Sequence, residues 1–322
     1  MKKIINIGIL GCASIAERSI IPAILNLPKY FKLVAVASRS YEKADKFAKK
    51  FNCESVDSYD ELIKRTDIDA LYIPLPTGLH DKWVNKAIKS GKNVYAEKSM
   101  ALNFSQAKKM VQNAKKYNVA LMEGFMFQYH NQHEHLKELL SKGVIGDIRY
   151  FSSSFGFPPL EPNNFRYDEK LSGGALMDAC GYPLRCSFFI LGDELKVTGA
   201  SLFRNNNGTS IFGSAYLSGK NGIGASISFG FDNYYQCNYT LWGSKGKITV
   251  EKSFTPKPDE ILTFKLETKK GIEIIESEKD NHFEKSFIEF HNIIINKEKR
   301  EKHYKEILQQ SKSLQKINDL TR

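Results

Sequence analysis

Short apolar runs alternate with longer amphipathic stretches through the first 123 residues. Ile4–Leu10, Leu33–Ala37, Ala70–Ile73, Asn93–Ala96 and Val119–Met122 are brief and mostly apolar, as strands buried on both faces of a sheet are. Between them, Ile15–Leu27, Tyr41–Phe51, Tyr59–Arg65, Leu79–Lys89 and Phe104–Tyr117 carry apolar residues at helical spacing. Ser58 is a suitable N-cap and Gly91 a stop. Pro22 falls inside the first of these helices and predicts a break or a new first turn, because it has no N–H to donate. Strand–helix units repeated at this length predict an α/β domain with a parallel, doubly wound sheet.

From Asp147 the pattern changes. Ile148–Phe155, Leu195–Phe203, Ser210–Leu217, Gly222–Phe231, Gln236–Trp242, Lys247–Val250, Ile261–Leu266 and Ile272–Ile275 are strand patterns, many alternating apolar with polar residues. That alternation predicts a sheet with one buried face. Turn dipeptides such as Asn207-Gly208 separate them. Two helices, Asn281–Ile295 and Glu301–Leu320, close the chain. The division falls near Gly124, giving domains over residues 1–123 and 124–322.

The length of 322 residues suits two domains, and 42% hydrophobic with 26% charged residues is a globular composition. The net charge of +11 would attract anions. Its lysines are spread along the chain and interleaved with acids, as in Lys297–Lys305. The charge therefore reads as solubility plus attraction for an anionic cofactor and substrate, with neither nucleic acid nor membrane as partner. Cys12, Cys53, Cys180, Cys186 and Cys237 are odd in number and match no zinc spacing, which fits a reducing, cytoplasmic setting. Lys2 and Lys3 before the run Ile4–Leu10 and Cys12 superficially resemble a lipoprotein leader. The run is short for that purpose and serves as the first strand. No run approaches the roughly 18–20 apolar residues of a membrane span.

The first strand–helix turn reads Gly11-Cys12-Ala13-Ser14-Ile15-Ala16. Gly11-x-Ala13-x-x-Ala16 is a relaxed dinucleotide fingerprint, with Ala13 in place of the middle glycine. The helix opening at Ser14 and Ile15 offers unpaired N–H groups to a pyrophosphate. The second strand ends in Ser38-Arg39-Ser40, where an NAD site would place an acid for the ribose diol. Arg39 can pair with a 2′-phosphate and Ser38 can donate to it, so NADP is expected over NAD.

Three later motifs are Ile73-Pro74-Leu75-Pro76-Thr77-Gly78-Leu79-His80, Ala96-Glu97-Lys98-Ser99 and Gly173-Gly174-Ala175-Leu176-Met177-Asp178-Ala179-Cys180-Gly181-Tyr182-Pro183. Together they resemble the glucose–fructose oxidoreductase, inositol dehydrogenase and rhizopine-catabolism (Gfo/Idh/MocA) family. Leu241-Trp242-Gly243-Ser244-Lys245-Gly246 with Phe254-Thr255-Pro256 is similar to nucleotide-sugar 3-ketoreductases. Glu123-Gly124-Phe125-Met126-Phe127 is similar to the dihydrodiol and aldose dehydrogenase branch. The resemblance implies a Rossmann domain joined to an α+β domain with an open, mostly antiparallel sheet. It implies hydride transfer between a nicotinamide and a hydroxyl or keto carbon of a sugar or nucleotide sugar, and a homo-oligomer formed through the second sheet. It places Pro76, Thr77 and His80 along the cofactor, Glu97 and Lys98 in the family's Glu-Lys-Pro signature with Ser99 replacing proline, and Arg166 near the nicotinamide ribose or amide.

Lys98, Asp178 and Tyr182 are then the catalytic candidates. Hydride transfer to a ketone creates an alkoxide that needs a proton. An ammonium at Lys98 would stabilise the oxyanion, and lysine or the Tyr182 phenol would supply the proton. If Gly173–Leu191 is one helix, Asp178 and Tyr182 share a face at i,i+4, with Pro183 a possible kink beside them. Asp178 would orient the substrate hydroxyl or the lysine. Without the resemblance, a half-buried aromatic and a local salt bridge are the preferred readings of Tyr182 and Asp178. His130, His133 and His135 form H-x-x-H-x-H, but no accompanying acid or thiol completes a metal set, so a polar helix start or a cleft lining is expected and no metal. Competing readings are an NADP-dependent aldose or trans-dihydrodiol dehydrogenase and a non-catalytic dinucleotide-binding regulator.

Overall fold

The protein was analysed as a computed structural model that describes residues 3–258 and 260–322; Lys2 of the leader reading lies outside the described residues. The apolar runs of the first half are β1 (Ile5–Leu10), β2 (Phe31–Ala37), β4 (Ala70–Ile73), β5 (Asn93–Glu97) and β6 (Leu121–Gly124), with β3 (Glu54–Val56) added. They form one parallel sheet in the order β3-β2-β1-β4-β5-β6. This is the doubly wound order whose switch point lies between β1 and β4. The three residues of β3 carry no apolar run that could announce them. They are a strand because they pair along the edge of β2, with Ala35 opposite Glu54.

The helices α1 (Ile21–Leu25), α2 (Tyr41–Phe51), α3 (Tyr59–Lys64), α4 (His80–Lys89) and α5 (Phe104–Lys116) connect these strands. Ser40, Ser58 and Asn103 cap α2, α3 and α5, each accepting from the backbone N–H three residues on. Pro22 stands in a new first turn, one of the two outcomes expected of it. Residues 16–20 form a π turn in which Ile21 N–H donates to Ala16 O, five residues back. The widened turn absorbs a residue that offers no N–H, and Pro22 sits in the first turn of α1.

The second half contains α6 (Asn131–Ser141), β7 (Ile148–Gly156), α7 (Glu169–Ser172), α8 (Gly174–Asp178) and α9 (Gly181–Leu191). The strands β8 (Lys196–Arg204), β9 (Ser210–Ser218), β10 (Gly224–Gly230), β11 (Gln236–Gly243), β12 (Gly246–Val250), β13 (Thr263–Thr268) and β14 (Gly271–Glu276) follow. With β7 they form an eight-stranded sheet in the order β14-β13-β12-β11-β7-β10-β9-β8. Only β7 and β10 pair in parallel; the other neighbours are antiparallel. One face is apolar: Phe151, Phe155, Ala225, Ile227, Phe229, Tyr239 and Leu241 are buried and α8 and α9 pack on it.

The chain closes with α10 (His282–Ile295) and α11 (Arg300–Leu320). Residues 1–124 with 283–311 form one compact unit, and 125–282 with 312–322 the other. The terminal helices, which the sequence alone assigned to the domain over 124–322, thus lie largely with the parallel sheet. The reason is aromatic packing. Phe287 meets Phe31 and Tyr95 edge-on at 5.7 and 4.9 Å, and Phe290 stacks on Tyr95 at 5.5 Å. Each ring fully buried this way contributes about 1.5–3 kcal/mol. Arg300 reaches the carbonyls of Ile293 and Asn118 at 2.7 and 2.8 Å, and Tyr304 donates to Val119 O at 2.6 Å.

Candidate active site

In the first unit the carboxyl ends of β1 and β2 make a turn shaped for close backbone approach. Gly11 has φ of 124°, and a Cβ there would lie 2.8 Å from Leu75 Cδ2, so only glycine fits. Its N–H donates to Ala37 O at 2.9 Å. Ala13 and Ile15 are half-buried and Ser14 is exposed, where the helix over residues 14–25 begins and its first N–H groups have no helical partner. Burial pushes the Cys12 thiol up to about 11, so it is a packing group.

At the end of β2, Ser38 is buried while Arg39 and Ser40 are exposed. Lys43, in the first turn of α2, is close enough to act electrostatically on Cys12. Arg39 acts similarly on the Tyr59 phenol, whose pKa burial raises and Arg39 partly restores. Two cations and a helix N-terminus thus flank a turn whose own residues 38–40 include no acid, the nearby Glu42 being engaged by the Ser40 hydroxyl at 2.5 Å. That donor set fits a dinucleotide with a 2′-phosphate. Lys43 was not singled out in the sequence; its place three residues after the Ser40 cap was the available signal.

Beyond β4, Thr77 is buried and Pro76 half-buried. His80 departs from expectation. It has no exposed surface, and its ring nitrogens lie 2.8 Å from Leu75 O and 3.1 Å from Met100 O. A side chain so enclosed braces two loops rather than touching a cofactor. Burial also holds its pKa below the usual imidazole value.

Lys98 follows β5 directly and is half-buried, at the sheet edge where ligands bind in such folds. The Lys98–Ser99 peptide is cis although serine replaces proline. Glu97 accepts from Tyr72 Oη at 2.6 Å, and Met100 N–H donates to Glu123 Oε1 at 2.6 Å. Glu97 is therefore bonded to the sheet's own tyrosine. Glu123, unnoticed as a site residue in the sequence, holds the segment just after Lys98.

In the second unit, Arg166 and Asp178 come together. Arg166 Nε donates to Asp178 Oδ2 at 2.7 Å, and the pair is only partly exposed. The single helix expected over 173–191 is divided. Ala175 O accepts from both Ala179 and Cys180 N–H at 2.9 Å, α8 ends at Asp178, and α9 restarts at Gly181. Pro183 is thereby in the first turn of α9, where its missing N–H costs nothing. The restart means that Asp178 and Tyr182 do not lie on one regular helix.

Tyr182 sits in an aromatic box, with ring centroids of Phe155, Phe254 and Phe125 at 4.8, 5.6 and 5.8 Å. Gly174 lets α8 approach the sheet. It has φ of 65°, and a Cβ would fall 2.5 Å from Ser210 Oγ and 2.6 Å from Ser210 O. His130 caps α6 by accepting from Gln132 N–H, and His133 Nδ1 lies 2.9 Å from Tyr239 Oη. Both are buried parts of a helix start. Tyr234 and Tyr235 lie in the loop between β10 and β11.

Residues 5–125 match the oxidoreductase family with an NAD-binding Rossmann fold, and residues 133–249 match the GFO/IDH/MocA C-terminal domain. A dTDP-3,4-didehydro-2,6-dideoxy-alpha-D-glucose 3-reductase from Saccharopolyspora spinosa is 40% identical over 84% of this chain and 81% of its own length. A trans-1,2-dihydrobenzene-1,2-diol dehydrogenase from Xenopus laevis is 32% identical over 74% and 72%. The crystal structure of KijD10, a 3-ketoreductase from Actinomadura kijaniata in complex with NADP and TDP-benzene, superposes with a TM-score of 0.96 at 33% identity, covering 99% of this chain and 98% of that one.

Proposed function

Because the chain belongs to the Gfo/Idh/MocA oxidoreductase family, we propose that it is an NADPH-dependent 3-ketoreductase of a nucleotide-activated deoxy-sugar. What supports this most is a fold shared at TM-score 0.96 with a 3-ketoreductase; the ammonium of Lys98 just after β5 and the phenol of Tyr182 at the start of α9 suit its chemistry. The excess of 47 basic over 36 acidic residues suits a substrate carrying a diphosphate.

In this reading Gly11, Ala13, Ser14 and Ile15 hold the pyrophosphate, and Ser38, Arg39 and Lys43 hold the 2′-phosphate. Pro76 and Thr77 border the dinucleotide, and Glu97 supports the same sheet edge through Tyr72. NADPH, when bound, supplies the hydride to the carbonyl carbon. Lys98 donates a hydrogen bond to the carbonyl oxygen and stabilises the negative charge that develops there. Tyr182 donates its phenolic proton to that oxygen, yielding the alcohol, and recovers a proton from solvent. A phenol suits the task because it keeps its proton at neutral pH. Arg166 fixes Asp178, whose carboxylate accepts from a sugar hydroxyl.

The aromatic box holds Tyr182 by its ring, so Tyr182→Phe should fold normally. Turnover of dTDP-3,4-didehydro-2,6-dideoxy-α-D-glucose with NADPH should fall by about 10²-fold or more while NADPH binding persists. Unchanged turnover would remove Tyr182 from the reaction. Oxidation of a trans-dihydrodiol with NADP and no reduction of the keto-sugar would move the activity to the dihydrodiol branch.

The outward face of the eight-stranded sheet supports a homodimer. It carries small hydroxyls paired with one another, Ser154 with Ser228 at 2.7 Å and Thr240 with Thr249 at 3.3 Å. Phe203, Phe212, Tyr216 and Trp242 are exposed around them, an apolar display that a second copy would cover. The setting is proposed to be the cytoplasm, in keeping with five free cysteines. Among the described residues no helix is long and apolar enough to cross a membrane.

A further inference from the structure

We propose that Glu123 and His80 form a two-sided clamp on Met100 whose task is to position Lys98. This rests on the reading of Lys98 as the group that meets the substrate oxygen.

β5 ends at Glu97, and the segment that follows leaves the sheet. Ser99 and Met100 are both about 1% exposed, so water does not satisfy their backbone, and a buried peptide group left unpaired is costly. Met100 obtains both partners from side chains. Its N–H donates to Glu123 Oε1 at 2.6 Å, and its C=O lies 3.1 Å from His80 Nδ1. Glu123 is fixed in turn by β6, where it stands opposite Ala96 of β5. A carboxylate accepting an amide proton makes a stronger, shorter bond than a neutral acceptor. His80 reaches further: its Nε2 lies 2.8 Å from Leu75 O, in the loop that leads to Pro76 and Thr77. One imidazole thus lies between the loop after β4 and the loop after β5, donating its single N–H to one of the two carbonyls and packing against the other. The two residues control where the chain turns, two positions beyond Lys98, and hence where the ammonium points. His80 and Glu123 are positioning residues; neither needs to touch substrate.

The test is a double-mutant cycle on keto-sugar reduction by NADPH, using the full chain. Glu123→Ala should lower kcat by about tenfold to a hundredfold and leave the affinity for NADPH unchanged. Glu123→Gln keeps an oxygen that can accept from Met100 N–H and should restore most of the rate. In a Lys98→Ala background, Glu123→Ala should cost nothing more, because the group it positions is gone. Should Glu123→Ala not fold, His80→Phe takes its place in the same cycle, since it fills the space but has no N–H to offer either carbonyl. Additive losses in the double variant, or a glutamine variant as impaired as the alanine one, overturn the clamp while leaving Lys98 in its role. Undiminished turnover in Lys98→Ala alone overturns the catalytic reading and the clamp with it.

Discussion

Replacing Arg39 should reverse the coenzyme preference. Arg39 is exposed at the end of β2, with Ser38 buried beside it and Lys43 one helical turn on. A unit charge pair at about 4 Å is worth about 1 kcal/mol in water and about 4 kcal/mol near a protein surface. A charge-assisted hydrogen bond is worth about 1.5–3 kcal/mol. An exposed guanidinium belongs in the lower half of that range, so about 2 kcal/mol is the reasonable figure. Arg39→Asp removes this and sets a carboxylate against the phosphate, for a total near 3 kcal/mol. That weakens NADPH by about 150-fold. The same aspartate can accept from the free ribose diol of NADH, so NADH should bind no worse or better. Fluorescence titration of both coenzymes into wild type and variant measures the ratio directly. Repeating it at higher salt should erode the NADPH affinity of the wild type more than its NADH affinity, since the pyrophosphate is common to both. A ratio of dissociation constants that stays the same in Arg39→Asp would refute the assignment of a 2′-phosphate to this corner.

Two further outcomes concern stability. Gly174→Ala should destabilise by about 2–4 kcal/mol, since it combines a left-handed backbone with a Cβ 2.5 Å from Ser210 Oγ. Gly91→Ala, also left-handed at φ 75° but with open space around it, should cost only about 1–2 kcal/mol, and equal losses in urea unfolding would contradict the packing argument. Burial lowers the pKa of both His133 and His282 to about 3. A histidine depressed in the folded state stabilises fully above its unfolded pKa near 6.5, and that stability is lost as pH falls from there toward 3. At pH 5 the loss should be about 2 kcal/mol for each histidine. His133→Gln should flatten the pH dependence of the unfolding midpoint between pH 7 and 5, and an unaltered slope would show that His133 does not titrate with unfolding.

The parallel sheet was legible because five of its strands are largely buried and therefore mostly apolar. β3 was not, since three edge residues bury little and need no apolar pattern. The second sheet was equally legible through its alternation. What α10 packs against could not be read: an amphipathic helix fits any sheet, and only the rings of Phe31 and Tyr95 select this one. The break between α8 and α9 depends on one carbonyl, Ala175 O, accepting two N–H groups, which no spacing rule reveals. Lys98, Asp178, Tyr182 and Arg166 were found by resemblance rather than periodicity. The pairing of Arg166 with Asp178 emerged only from the fold. His80 shows the limit of motif reading. It stands in a motif associated with the coenzyme, yet its burial confines it to bracing loops, and Glu123 performs a matching task from outside the motif.

The central step is delivery of hydride to the third carbon of an activated sugar. Incubating the purified protein with dTDP-3,4-didehydro-2,6-dideoxy-α-D-glucose and NADPH deuterated at the transferring position, then locating the label by mass spectrometry and NMR, tests this most directly. One deuterium at C3, formed at the rate NADPH is consumed and formed far more slowly in Lys98→Ala, is the predicted result. Label at another carbon, or no consumption of NADPH, would contradict it.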